Sequence, residues 1–291
     1  MSLMLLSPLA VLTMQAAPFE LPIQPLPIPR RERTEQNAQP TENAASRRLA
    51  TCLATSASGD SAEGLGQAGA WVAQDPGLAE AQHCLGVALS ESGDYPAARR
   101  AFEAARSAAE PTNAAALARY GALAGNSALA AGDTDAALAL LSGAEADALS
   151  AQRPDLAAEI AIDRAVALLS AGREAEAASA LQYARETNAE DGQAWLLSAT
   201  LSRRMNDLER AQIQIERAAA LLPRDPATAL EAGTIAILSG REDAARKSWQ
   251  SAIDLAPQSA EAETARTYIA QIAPAAAEVQ VPPPASLQDT P

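Results

Sequence analysis

Two consecutive stretches of this chain carry the same pattern. Residues 195–223 read WLLSATLSRRMNDLERAQIQIERAAALLP, and residues 224–257 read RDPATALEAGTIAILSGREDAARKSWQSAIDLAP. At an offset of 34 residues, the turn-forming, small, large apolar and proline positions of the two stretches coincide. The coinciding pairs are Asn206 with Gly240, Ala211 with Ala245, Ile215 with Trp249, Ala218 with Ala252, and Pro223 with Pro257. A period of about 34 residues is typical of a helix–turn–helix unit that buries its apolar face only by stacking on its neighbours.

Each unit can be interpreted as two helices. Apolar residues recur at helical spacing over residues 194–204, which predicts a first helix. Asn206 ends this helix, because Asn and Gly tolerate the left-handed conformation found at helix ends. A second amphipathic helix is predicted over residues 208–222, and Pro223 and Pro226 close the unit because proline is excluded from a helix interior.

These spacings resemble those of the tetratricopeptide repeat (TPR) family. The resemblance implies an all-α fold, a right-handed α-solenoid of six units with a C-terminal capping helix at 260–273. The units are expected near residues 45–78, 79–112, 113–151, 158–191, 192–225 and 226–259. The turn glycines Gly93, Gly132 and Gly172 are 39 and 40 residues apart, so each gap holds extra residues. We expect the first insertion to lengthen the helix after Pro111, and the second to form a loop over residues 150–155.

The two ends of the chain lack the repeat. Residues 1–17 combine a short apolar run with an ending of small residues, which predicts a signal peptide. The protein is therefore expected in the periplasm or otherwise exported. No basic residue precedes the apolar run, so a cytoplasmic protein with an unusual N-terminus is the alternative. Residues 18–44 hold six prolines and are interpreted as an extended linker, either a spacer or a docking ligand. Residues 274–291 are interpreted as a disordered tail.

The sequence offers little for catalysis or for cofactors. The formal net charge of −14 disfavours nucleic-acid binding, because a phosphate backbone would be repelled. The single histidine, His83, has too few neighbouring ligands for a metal site. Residues 64–69 match G-x-G-x-x-G, but a turn rather than a strand precedes them, and residues 125–129 lack the last glycine of a nucleophile elbow. We therefore expect no catalytic site, no metal and no cofactor.

Taken together, these features favour a monomeric, non-enzymatic scaffold that binds a protein or peptide, without a membrane span. A regulatory or assembly subunit of an exported envelope enzyme system is the alternative. The TPR resemblance implies a concave groove lined by first helices at fixed places of each unit. Carried over to this sequence, those places are His83, Val87, Asn126, Leu129, Ile162, Val166, Leu169, Leu196, Thr200, Arg203, Arg204, Leu230, Thr234 and Ile237.

Two features of the groove region leave alternatives open. Arg203 and Arg204 either anchor a ligand carboxylate or pair with nearby acids such as Asp207 and Glu209. The two cysteines, Cys52 and Cys84, lie at similar levels of adjacent first helices. Because such helices pack about 8–10 Å apart, the pair could form a disulfide or remain as two buried thiols.

Overall fold

The computed structural model describes residues 44–58 and 60–272, and within these residues it contains thirteen α-helices and no β-strand. The helices are α1 (Ala44–Ala57), α2 (Ser61–Gln74), α3 (Ala79–Glu91), α4 (Tyr95–Ala108), α5 (Ala114–Ala130), α6 (Thr134–Ser150), α7 (Pro154–Ser170), α8 (Glu174–Thr187), α9 (Gly192–Arg204), α10 (Leu208–Leu221), α11 (Pro226–Leu238), α12 (Glu242–Leu255) and α13 (Ala260–Gln271). The predicted signal peptide, the proline-rich linker up to residue 43 and the tail lie outside the described residues.

The helices pair in chain order into six hairpins, and each hairpin packs against the next. We call α1, α3, α5, α7, α9 and α11 the first helices, and their hairpin partners the second helices. First helices of neighbouring hairpins also touch, as α5 touches α7 and α9 touches α11, and α13 covers the last hairpin. This arrangement is an all-α solenoid of six repeats with a C-terminal cap, as the sequence period predicts.

The turns inside the hairpins form for the predicted reason. Helix α9 ends before Asn206, whose φ is 60°, and α11 ends before Gly240, whose φ is 73°. Three further turn glycines adopt the same left-handed conformation, which glycine reaches without steric cost. In the α9–α10 turn, the Asp207 carboxylate accepts a hydrogen bond from the Arg210 backbone N–H at 3.0 Å and so caps α10.

Within a hairpin, a glycine of the first helix faces a large side chain of the second. Trp249 of α12 is fully buried, and its ring occupies the space that a Cβ atom on Gly233 would need. Phe102 of α4 covers Gly86 of α3 in the same way. The two helices therefore approach closely at one point of each of these hairpins, and the aromatic ring fills the gap beside it.

The second insertion forms a shorter loop than expected. Helices α6 and α7 each have 17 residues, and only residues 151–153 separate them. Gln152 turns the chain with φ of 56°, and Pro154 is the first residue of α7, where its missing N–H costs nothing. The extra residues therefore lengthen helices, and the fourth hairpin begins four residues before the predicted position 158.

None of the helices over residues 44–272, residue 59 aside, is long and apolar enough to cross a membrane.

Candidate interaction surface

Six of the fourteen residues assigned to the groove are buried. They are Ile162, Val166, Leu169, Leu196, Thr200 and Thr234, with 1–7% of their surface exposed. The three residues of α7 pack in one core cluster with Leu197 and Leu201 of the following first helix. In the structure described these six side chains are buried, so little of their surface is open to a ligand.

The accessible part of the predicted groove lies towards its two ends. His83, Val87, Asn126, Leu129, Arg203, Leu230 and Ile237 are half-buried, and Arg204 is exposed. Asn126 is already engaged, since its side-chain amide donates a hydrogen bond to Asp163 at 2.9 Å. The structure therefore leaves two accessible regions, one on α3 and α5 and the other at the C-terminal ends of α9 and α11.

At the N-terminal region, two rings meet across neighbouring first helices. The His83 ring of α3 lies 5.4 Å from the Tyr120 ring of α5, edge to face, and 6.0 Å from the buried Phe102 ring. Burial raises the pKa of the Tyr120 hydroxyl, and the negative charge of Glu80 raises it further. Tyr120 therefore stays protonated and can donate a hydrogen bond. Tyr120 was not among the predicted site residues, although an aromatic residue inside an alanine-rich first helix is a usable signal.

At the C-terminal region, both arginines pair with acids, but not with the expected ones. The Arg203 guanidinium donates to both carboxylate oxygens of Glu231, at 2.6 and 3.2 Å, and both side chains are mostly buried. Arg204 lies 3.8 Å from Glu174 of α8, and a third of its side chain is exposed. Asp207 instead contacts Arg210, at 3.4 Å. Arg203 is thus committed to joining α9 to α11, whereas Arg204 keeps a long, exposed contact.

Large apolar side chains are exposed beside Arg204. Met205 follows it at the end of α9 and is 51% exposed, and Leu238 at the end of α11 is 41% exposed. Both side chains precede the turns of adjacent hairpins, so they lie on the same edge of the solenoid. Sequence analysis missed both residues, because the family pattern was applied only to the groove positions. We call Arg204, Met205 and Leu238 the edge patch.

Cys52 of α1 and Cys84 of α3 form a disulfide in the structure. Their Cα atoms are 6.0 Å apart, within the range that a disulfide requires. Both side chains are buried, in a cluster with Ala68 and Trp71 of α2. The Arg48 guanidinium lies 4.7 Å from the centre of the Trp71 ring, so the N-terminal hairpin is held by a small core and one covalent bond.

Two unusual residue choices have structural explanations. The glycines at 64, 66 and 69 lie inside α2, whereas a dinucleotide site places such glycines between a strand and a helix. Arg164 stands on α7 where the family pattern has a large apolar residue, and its Nε donates to Glu145 of α6 at 2.7 Å. Within the described ranges, no group of three or more His, Cys, Asp and Glu side chains is arranged to hold a metal ion.

Comparison with solved structures decides the fold. PilW, described as a widely conserved type IV pilus biogenesis factor, superposes with a TM-score of 0.62 over 76% of this chain and 97% of its own, at 15% identity. PilF of Pseudomonas aeruginosa gives a TM-score of 0.57 over 78% of this chain and 100% of its own, at 16% identity. Both are tetratricopeptide-repeat proteins. This chain has the tetratricopeptide-repeat fold.

A third solved structure is similar over most of the chain. BtubC of P. vanneervenii superposes with a TM-score of 0.56 over 80% of this chain and 94% of its own, at 19% identity. No protein-family model matches the sequence, and no curated protein matches it either. At these identities the likeness concerns the TPR solenoid itself, and function has to be argued from the surface of this chain.

Proposed function

We propose that this protein is a non-enzymatic scaffold that binds a protein or peptide along the first-helix side of its TPR solenoid. The observation that carries the proposal is the edge patch. Two large apolar side chains, Met205 and Leu238, are exposed near the C-terminal ends of neighbouring first helices, and Met205 directly follows Arg204. Clustered exposed apolar groups beside polar ones mark interaction sites, since water solvates them poorly.

The edge patch also indicates the chemistry of its ligand. An apolar side chain of the partner would cover Met205 and Leu238, and a carboxylate would reach Arg204. The guanidinium can donate two parallel hydrogen bonds to the oxygens of such a carboxylate. The present contact of Arg204 with Glu174, 3.8 Å long and partly exposed, is weak and is easily exchanged for a ligand carboxylate. Arg203 does not take part, since its guanidinium already donates to both oxygens of Glu231.

Two features that favour export fit the same proposal. Residues 1–17 have the small-residue ending of a signal peptide, and a disulfide between Cys52 and Cys84 suits an oxidising compartment. We therefore infer that the mature protein acts outside the cytoplasm as a monomer that recruits one or more envelope proteins. The intact mass of the protein from its native cell tests this, with cleavage after Ala16 or Ala17 as the expected result. A mass that retains residues 1–16, found in the cytosolic fraction, contradicts it.

The binding proposal is tested by capture from an envelope fraction with matched variants. The variant Met205→Ser with Leu238→Ser removes the apolar part of the edge patch. The control is Ile213→Ser on α10, because Ile213 is also apolar and 62% exposed but belongs to a second helix. We expect the captured protein to be lost with the double variant and retained with the control. The reverse result places the site on the second-helix side and refutes the proposal.

A further inference from the structure

Aromatic rings are rare on the first helices, and their placement is uneven. Among the described first helices, rings occur at His83, Tyr120 and Trp195 only. Trp195 is used internally, since its indole N–H donates to the Ala189 carbonyl at 2.9 Å and its ring stacks with the Arg185 guanidinium. His83 and Tyr120 face each other and remain half-buried. Together with Val87, one turn after His83, they form what we call the aromatic patch.

The chain contains a segment of matching chemistry. Residues 18–29 read PFELPIQPLPIP, with five prolines and the apolar residues Leu26 and Ile28 near the end. Such a sequence favours the polyproline II helix, which loses little entropy on binding and docks on grooves lined by aromatic rings. Proline-rich backbone also offers carbonyl acceptors, to which a tyrosine hydroxyl such as that of Tyr120 can donate hydrogen bonds.

We propose that residues 18–29 dock on the aromatic patch of the same chain and occupy that end of the binding surface until a partner displaces them. This inference rests on the proposed function, in which the first-helix side is the binding surface. It adds a regulation: a partner that uses the aromatic patch has to compete with a tethered copy of a proline-rich ligand.

The length of the chain before α1 favours this occupant. Residues 30–43 separate the segment from Ala44, and 14 residues at coil dimensions span about 20 Å. Helix α5 lies two first helices away from α1, also about 20 Å at the usual packing distance. A linker whose mean length matches the span gives the highest effective concentration, on the order of 1 mM.

The C-terminal tail is the competing occupant, since it contains VQVPPP at residues 279–284. Ten residues lead from Ile272 to Pro282, the first proline of this stretch, and at coil dimensions they span about 17 Å. Helix α13 and helix α5 are separated by four first-helix steps, about 35 Å. At its mean length the tail therefore falls short of the aromatic patch, whereas the mean length of the N-terminal linker matches the distance that it has to span.

The single histidine of the chain makes a direct test feasible, because its imidazole resonances in an NMR spectrum belong to His83 alone. A protease site is inserted into residues 34–40 of the full chain, and spectra are compared before and after cleavage and removal of the released segment. We expect the His83 resonances to shift on cleavage and to return when a peptide of residues 18–33 is added. The full-length variant Leu26→Ser with Ile28→Ser should give the cleaved spectrum without any cleavage.

Titration of the same peptide measures the competition. For a peptide that binds the cleaved chain with a Kd of about 100 µM, a tethered copy at about 1 mM weakens apparent binding to the uncleaved chain about tenfold. The control variant Val279→Ser with Val281→Ser should leave the His83 resonances and the titration unchanged.

Two results overturn the inference. The first is a His83 spectrum that responds neither to cleavage nor to Leu26→Ser with Ile28→Ser. The second is a response to the tail variant alone, which would make the tail the occupant. Either result leaves partner capture by the edge patch intact. Conversely, if the variant Met205→Ser with Leu238→Ser still captures the partner, the proposed function is refuted. The His83 resonances would in that case still test the contact within the chain.

Discussion

Removing the disulfide should loosen the first hairpin selectively. The bond joins residues that are 32 apart in sequence. In the chain-entropy treatment, closing a loop of that length lowers the conformational entropy of the unfolded chain by about 12 cal/mol/K. This corresponds to about 3.7 kcal/mol of stabilisation of the folded protein at 25 °C. Helix α1 has little else to hold it, since Cys52 and Ser56 are its only buried residues.

The perturbation is the variant Cys52→Ala with Cys84→Ala, and the assay is amide hydrogen exchange. Because a repeat solenoid is stabilised locally by neighbour contacts, the loss should stay in the first hairpin. We expect exchange in α1 to accelerate by up to several hundredfold, which corresponds to about 3.7 kcal/mol at about 1.4 kcal/mol per factor of ten. Amides in α7 and α9 should exchange as before, and they serve as the internal control.

Reduction of the unaltered protein should reproduce the effect of the variant. Unchanged exchange in α1 after both treatments would refute the reasoning. A count of two free thiols in unfolded, unreduced protein would refute it at an earlier step, because no bond would then exist in solution.

Three further perturbations test the packing. Gly233→Ala should lower the free energy of unfolding by about 1–3 kcal/mol, because the new methyl group meets the buried Trp249 ring. Gly69→Ala is the matched control, and it should raise the free energy of unfolding by up to about 1 kcal/mol, because position 69 faces open space. The midpoints of urea unfolding measure both changes. Equal midpoints for the two variants would contradict the close contact between Gly233 and the Trp249 ring. Glu231→Ala should lower the free energy of unfolding by on the order of 2–3 kcal/mol, because it leaves the mostly buried Arg203 without its partner. A loss of only about a few tenths of a kcal/mol would mean that water replaces the carboxylate. Deleting α13 should expose the apolar face of the last hairpin and cause concentration-dependent aggregation in light scattering, while a soluble monomer would show that no cap is needed.

The period of the sequence was enough to predict the fold, because it is a local property. The left-handed residue Asn206 and the closing proline Pro223 mark the ends of the two helices of the fifth hairpin, so the sequence predicts the bounds of α9 and α10 within two residues. The loop expected over residues 150–155 is reduced to residues 151–153 for a local reason. Pro154 is the first residue of α7, because proline is tolerated in the first turn of a helix, and the loop therefore ends before it.

The accessible surface could not be predicted in the same way, because it depends on how neighbouring hairpins nest. Ile162 occupies a groove position in the repeat pattern, yet side chains of the next first helix cover it. Arg203 selects Glu231, 28 residues later, over the acids adjacent in sequence, because the 28-residue step brings a carboxylate onto the neighbouring first helix. Such pairings require the angle between hairpins, which a residue pattern does not contain.

The central claim is that a partner binds this solenoid on its first-helix side. The most direct measurement is amide hydrogen exchange of the full chain with and without the captured envelope protein. Our account predicts new protection at the C-terminal ends of α9 and α11, around Met205 and Leu238. Protection confined to the second helices α10 and α12, with α9 and α11 unchanged, would contradict it.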